Sequence, residues 1–376
     1  MKNFIPVNEP VLTGREKEYL LNCIETGWIS SEGPYVEEFE DKMATCVGRK
    51  YGIAVSNGTA ALELSIAALE IKPDEEVIIP TFTIISCASA VLRRSCVPVL
   101  VDSDPLTWNM NVQQIEAIIT AKTRAIMVVH TYGLPVNMDP ILALAKKYKL
   151  IIIEDAAEML GQKYKGKACG SFGQISVFSF YPNKLITTGE GGMVLTDDAY
   201  LAERCRSLRN LCFNNKQRFV HDELGYNFRM TNLQAALGLA QLERLNEFIE
   251  KKRAMGYRYS KLLEGLTAIQ LPLERTYYAE NIYWVYGILL LEQVQFDAAK
   301  MINKLAELKI GSRPFFWPMH KQPIFEKMRL FKTESFPVSE HLSIRGLYLP
   351  SGLAITNKQI DLVANTVIKI ITEENY

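Results

Sequence analysis

Lys184 closes the run Ser176-Val177-Phe178-Ser179-Phe180-Tyr181-Pro182-Asn183-Lys184 and is followed by the glycine-rich return Thr187-Thr188-Gly189-Glu190-Gly191-Gly192. A lysine pinned between a strand end and a tight return is held in place, and one withdrawn from water is shifted toward nucleophilic use. The ordinary alternative for any single lysine is a solvated surface position. Upstream, the apolar run Ile151-Ile152-Ile153 leads directly into Glu154 and Asp155, with Glu158 three residues on. Acids at a strand end either take part in chemistry or cap the next helix. A third segment, Ser56-Asn57-Gly58-Thr59, follows the apolar run Gly52 to Val55 and opens a helical stretch, Ala60 to Leu69. A glycine there permits close backbone approach, and the free N–H groups of a helix start favour a phosphate. The same four residues also read as a tight turn with Asn57 or Ser56 as a helix cap.

Together the three segments meet the needs of one cofactor, pyridoxal 5′-phosphate (PLP). Its chemistry takes a lysine for the Schiff base, an acid to pair with the pyridinium nitrogen, and a cradle for the phosphate. Lys184, Asp155 29 positions earlier, and the Ser56 to Thr59 turn supply them. No metal is expected, because His130, His221, His320 and His341 are scattered without the His/Cys/carboxylate spacing of a metal site. No G-x-x-x-x-G-K-[ST] run occurs, and no G-x-G-x-x-G follows an expected strand.

Positioning these residues requires a sheet whose strand ends converge. Short apolar runs at Gly52 to Val55, Glu76 to Ile79, Val97 to Val101, Ala125 to Val129, Leu150 to Ile153, Ile175 to Phe178 and Gly192 to Leu195 alternate, for the most part, with helical stretches such as Pro140 to Lys147. The pattern predicts an α/β fold with a mostly parallel central sheet and flanking helices, and in such sheets ligands lie beyond the carboxyl ends of the strands. Ahead of the sheet, Thr13 and Glu16 form a T-x-x-E capping box that opens a helix toward Glu25 in an N-terminal arm packed on the sheet. After it, Thr231 to Glu250 reads as one long helix, followed by the basic Lys251 to Arg253. The expected division is a large domain over 1–250, arm included, and a smaller C-terminal α+β domain over 251–376. The latter holds a Tyr/Trp-rich strand at Ile282 to Leu290 and helices near Asp297 to Leu308 and Asn357 to Thr372.

Lys plus Arg and Asp plus Glu balance at 42 each, so the chain offers no global field for nucleic acid or an anionic membrane, and a phosphate must be bound locally. Seven cysteines, odd in number and widely spread, argue for reduced thiols in the cytoplasm. The N-terminus lacks the apolar run of a signal peptide, and no stretch is expected to span a membrane.

The ordered series GWISSEGPYVEEFE (Gly27 to Glu40), VSNGTAAL (Val55 to Leu62), PTFT (Pro80 to Thr83), IEDAAE (Ile153 to Glu158), SFYPNK (Ser179 to Lys184), GEGG (Gly189 to Gly192) and GYNFRMTNLQAA (Gly225 to Ala236) resembles the sugar-nucleotide aminotransferases, a branch of the fold-type I PLP enzymes, over essentially the whole chain. The segment SRPFFWPMH (Ser312 to His320) is similar to one in the perosamine synthases. The resemblance implies that Lys184 forms the Schiff base, Asp155 pairs with the pyridinium nitrogen and Glu158 approaches the ring hydroxyl. It also implies phosphate contacts from Gly58, Thr59 and Ser179, and from Asn227 of a second subunit, hence a homodimer with shared sites. Arg229 would serve either its loop or the phosphate. Many members carry an aromatic residue against the cofactor ring where this chain has Ile84, and related dehydratases carry His where this chain has Lys184. The implied reaction moves the amino group of L-glutamate to C-4 of a nucleotide-linked 4-keto-6-deoxy sugar. GDP-4-keto-6-deoxymannose giving GDP-perosamine is the nearest match, and a UDP- or dTDP-linked 4-keto-6-deoxyglucose the runner-up. Arg313 and His320 either reach the nucleotide sugar or pack the small domain. A PLP-fold regulator without catalysis would have no need to keep the lysine, the acid and the phosphate turn together.

Overall fold

The computed structural model describes residues 4–374 apart from 215, 216, 218 and 333. Each expected run of the first half forms a strand: Tyr51–Val55, Glu76–Pro80, Val97–Val101, Thr123–Val129, Ile151–Asp155, Ile175–Ser179 and Gly192–Thr196. They make one seven-stranded sheet in the spatial order 51–55, 192–196, 175–179, 151–155, 123–129, 76–80, 97–101. The strand Gly192–Thr196 runs antiparallel to both of its neighbours, and every other pairing is parallel. Six strands therefore end at the same edge, and the segments after residues 55, 80, 129, 155 and 179 meet there, joined by the glycine-rich return that leads into residue 192.

The strands read as continuous apolar runs because both faces are covered. Successive side chains alternate between two cores. Ala54, Ile78, Ile126, Val128, Ile152, Phe178 and Met193 pack with helices Pro34–Val47 and Asn232–Leu242. Ile53, Val77, Ile79, Met127, Ile153, Val177 and Val194 pack with helices Gly58–Ala68, Ser86–Leu92 and Ala199–Arg209. A four-stranded antiparallel sheet in the C-terminal part follows the order Ile269–Gln270, Tyr286–Leu290, Gly346–Leu349, Arg313–Pro314. It shares a third core with helices Ala298–Glu307 and Asn357–Glu374. No helix among the described residues is long and apolar enough to cross a membrane.

Local structure departs from the sequence pattern in three places. The expected capping box at Thr13 is absent: the first helix is Glu16–Thr26 with Arg15 at its cap and no side-chain cap bond. Both partners are diverted, since the Thr13 hydroxyl accepts from Arg244 and the buried Glu16 accepts from Gln241. The run from Thr231 is two helices, Asn232–Leu242 and Leu245–Leu263, rather than one. A capping box does open the first, with Thr231 and Gln234 bonded reciprocally. The chain turns where Tyr19 donates to Glu243 and Arg244 reaches Thr13. The second helix passes through residue 250, with Leu245 and Phe248 in the large core and Met255, Tyr259 and Leu263 in the C-terminal core. The Tyr/Trp-rich segment begins its strand only at Tyr286; residues 281–284 are held irregular by the Asn281 side chain and by the Gly133 carbonyl, to which Ile282 donates.

The N-terminal helices are tied to the sheet-covering helix by the fully buried Asn232, which donates to the Trp28 carbonyl (2.7 Å) and accepts from the Tyr35 N–H (2.8 Å). Asn232→Ala strands both groups, and we expect it to cost about 2–3 kcal/mol. Urea unfolding at fixed protein concentration checks this, and an unchanged midpoint would show that water replaces the amide.

Candidate active site

The converging strand ends surround a cavity of about 780 Å³ lined by Gly58, Thr59, Asp155, Glu158, Ser179 and Lys184 among others. Residues drawn from three separate segments thus share one space. Alternation along the strand Ile151–Asp155 sorts the two adjacent acids that sequence alone leaves side by side. Asp155 reaches the cavity. Glu154 is buried against His130, whose Nε2 lies 3.0 Å from its Oε1. The N–H of Val136 donates to His130 Nδ1 (3.0 Å), so the ring proton sits on Nε2 and is donated to Glu154. Burial pushes the Glu154 carboxyl up, but His130 and the N–H groups of Gly170 and Phe172 outweigh it and hold the group below its ordinary value. His130, Glu154 and Cys169 bring ligand-type atoms within 4.8 Å of one another, a proximity the sequence spacing does not show. The histidine and the carboxylate of that cluster are already engaged by hydrogen bonds.

On the cavity floor, Lys184 Nζ lies 3.5 Å from Glu158 Oε1, and Glu158 Oε2 accepts from the N–H of Tyr132 (2.8 Å). Asp155 accepts from the Ala157 N–H (3.1 Å) and from the buried thiol of Cys87 (3.4 Å). Burial raises Asp155, opposed by the Ala157 N–H, Lys184, Cys87 and His130. Burial also pushes Glu158 up to about 7, against Lys184 and the Tyr132 N–H, with Asp155 adding to the rise. Two buried carboxylates thus face one ammonium. A protonated ring nitrogen placed against Asp155 would supply the missing positive charge, which is what the pyridine ring of PLP offers.

The helix start expected to meet a phosphate lies at the same cavity. Asn57 caps the helix Gly58–Ala68 by taking the Ala60 N–H on its side chain (2.8 Å) and the Ala61 N–H on its carbonyl (3.1 Å). The N–H groups of Gly58 and Thr59, in the first turn, have no intrahelical acceptor. A Cβ on Gly58 would sit 2.9 Å from Ser179 Cβ, so only glycine lets the helix start meet that strand end. Similarly, a Cβ on Gly192 would lie 2.5 Å from the Asn57 carbonyl oxygen. Ile84 lines the same cavity and is nearly half exposed.

Asn227 is exposed and outside this cavity's lining, while its neighbour Phe228 lines it and accepts from Ser56 (2.8 Å). Arg229 donates to Asn210. Arg313 is exposed, paired across strands with Tyr348, a cavity residue. His320 is not brought to the cavity: its buried ring bonds Thr81 (2.9 Å) and Glu340 (2.8 Å), which occupies both nitrogens. Trp284, Tyr348 and Cys87 were not singled out from the sequence, whereas Phe316 lies in the SRPFFWPMH segment.

The chain carries these features in a known setting. The DegT/DnrJ/EryC1/StrS aminotransferase family model matches residues 10–368. The chain is 42% identical over 371 residues to GDP-perosamine synthase of Escherichia coli O157:H7, covering 99% of this chain and all of that one. It is 41% identical to GDP-perosamine synthase of Caulobacter vibrioides, covering 98% of each. The X-ray structure of the aminotransferase from Psychrobacter cryohalolentis superposes with a TM-score of 0.92 at 27% identity, over 99% of this chain and all of that one. The family match and these relatives identify a PLP-dependent aminotransferase of fold type I. The chain belongs to the DegT/DnrJ/EryC1/StrS family of sugar aminotransferases.

An acid raised by burial penalises the folded state once it ionises. For Glu158 that penalty is absent below the unfolded pKa near 4.5 and accumulates as pH rises to about 7. In cofactor-free protein, Glu158→Gln should remove this fall in stability, a relative gain of about 3 kcal/mol at pH 8 and none at pH 4. Urea titrations of both proteins across that range test the sign, and parallel curves would exclude it.

Proposed function

We propose that the protein transfers the amino group of L-glutamate to C-4 of GDP-4-keto-6-deoxymannose, giving GDP-perosamine. The observation that carries this reading is the full-length similarity to two GDP-perosamine synthases, together with the placement of the SRPFFWPMH segment, whose Pro314 and Phe316 line the cavity above Lys184. When bound, PLP supplies the electron sink that makes the carbon bearing the amino group acidic. Lys184 would hold the cofactor covalently at rest and, with its amine free, would carry the proton to and from that carbon. Asp155, fixed by the Ala157 N–H and the Cys87 thiol, would hold the ring nitrogen protonated. Glu158, tied to the Tyr132 N–H, would sit by the ring hydroxyl. Gly58, Thr59 and Ser179 would bind the phosphate. Arg313, at the rim beside Tyr348, is the proposed contact to the nucleotide sugar, and His320 is proposed as a strut of the segment.

The active form is proposed to be a homodimer in which Asn227 completes the other subunit's phosphate site; its exposure outside its own cavity supports that reading. A cytoplasmic location is supported by seven cysteines, all free. The product would serve lipopolysaccharide O-antigen synthesis. We also propose the domain division at 1–250 and 251–376, on the separate C-terminal core.

Incubation with L-glutamate and each of the GDP-, UDP- and dTDP-linked keto sugars, followed by mass spectrometry, should show the carbonyl oxygen replaced by an amino group in the GDP-linked sugar first. Faster conversion of a UDP- or dTDP-linked sugar would reassign the substrate. Lys184→Ala should lower turnover at least ~10²-fold. Mixing Lys184→Ala subunits with Asn227→Ala subunits should restore part of the activity, because each mixed dimer holds one site with both native residues; no recovery would place Asn227 outside its partner's site.

A further inference from the structure

We propose that Trp284 is a positioning residue for Lys184, whose indole face holds the ε-ammonium over the cavity floor whenever the amine is not covalently engaged. Lys184 Nζ lies 3.9 Å from the centre of the Trp284 ring, within the range of a cation–π contact. The same indole donates its N–H to the carbonyl of Asn183 (2.8 Å), so Trp284 grips both the head of Lys184 and the backbone immediately before it.

Trp284 is itself held firmly. It is 5% exposed, and its ring stacks on Tyr132 at 6.1 Å. The preceding Tyr283 has φ +51°, and the Tyr283 N–H is taken by the Asn281 side chain (2.7 Å). The Trp284 carbonyl accepts from the buried amine of Lys252 (2.7 Å), which also donates to the Ser351 carbonyl (2.5 Å). Lys252 therefore fixes the turn that presents the indole. The titratable groups facing Lys184 are Glu158 at 3.5 Å and Asp155, with Cys87 and His130 beyond Asp155, and Tyr132 and Tyr348 beyond Glu158. Among these contacts the indole alone binds the cation without accepting its proton. It can keep the amine aimed while leaving the proton free for substrate.

The inference rests on Lys184 being the proton carrier of this aminotransferase, but its test needs no turnover. Full-length protein reconstituted with pyridoxamine phosphate, which leaves Lys184 uncombined, is treated with a neutral acylating reagent, and Lys184 and Lys252 are followed by peptide mapping. At pH 7 Trp284→Leu should raise the Lys184 rate about 3- to 30-fold over native, with Trp284→Phe between them. The excess should shrink as the pH is raised, because the hold acts only on the charged form, while Lys252 stays protected. Equal Lys184 rates in all three proteins overturn the proposal. So does an excess constant with pH, which signals easier access alone, or a parallel rise at Lys252, which signals a loosened fold. If the leucine variant does not fold, Trp284→Phe decides: a rate no higher than native at pH 7 overturns the proposal.

Discussion

The site is governed by charge balance on the floor of the cavity, where two acids are withdrawn from water. Asp155 and Glu158 both project into it, and the amine of Lys184 is set against them. Removing two carboxylates from water is costly unless partners compensate. The protein spends a peptide N–H on each acid, from Ala157 and from Tyr132, and leaves both raised above their ordinary values. The surrounding architecture maintains this incompletely neutralised arrangement until a cationic ring occupies it. A surface site would lose the effect to solvent screening, which is why the residues stand at the ends of central, doubly covered strands.

Tyr132 connects that floor to the wall above it. Its N–H holds Glu158, its hydroxyl accepts from the Phe316 N–H (3.1 Å), and its ring packs against Phe82, Phe315, Phe316 and Trp284. With φ +59° it sits in the left-handed region, a conformation that a non-glycine residue adopts only where its surroundings fix it. Here six aromatic neighbours, Trp108 and Tyr348 included, and two hydrogen bonds do so. The large sheet sets the acids, the C-terminal sheet sets the wall, and one strained tyrosine fixes the distance between them.

The sheet was legible because its strands are apolar on both faces and interrupted by polar turns, so their number and parallel character follow from pattern. Lys184, Asp155 and the Ser56 to Thr59 turn were legible for the same reason: they fall at strand ends, where open sheets bind ligands. Glu154 and Asp155 could be told apart only by strand phase, and His130 pairs with the acid facing away from the chemistry. Trp284, Tyr132 and Cys87 reach the site through tertiary contacts with no local signature; nothing in the series Ile282 to Tyr286 says which aromatic ring turns inward. The missing cap at Thr13 has a tertiary cause: Thr13 and Glu16 carry the right local chemistry, but Arg244 and Gln241, distant in sequence, take the same side-chain atoms.

The division of labour bears on selectivity. Every polar contact described for the Lys184 amine, Asp155 and Glu158 comes from residues before 185, whereas the cavity wall includes Trp284, Pro314, Phe316 and Tyr348 of the C-terminal part. That wall is clamped. Asp102 accepts from the N–H groups of Val338 and Ser339 and from the Ser339 hydroxyl, while Thr81 holds Met319 and His320. These bonds run from the strand ends of the large sheet into the segment that shapes the wall and fix the one against the other. Because Phe316 donates to the Tyr132 hydroxyl while the Tyr132 N–H holds Glu158, wall and floor are coupled through one residue, and a change at Phe316 reaches the acids as well as the wall.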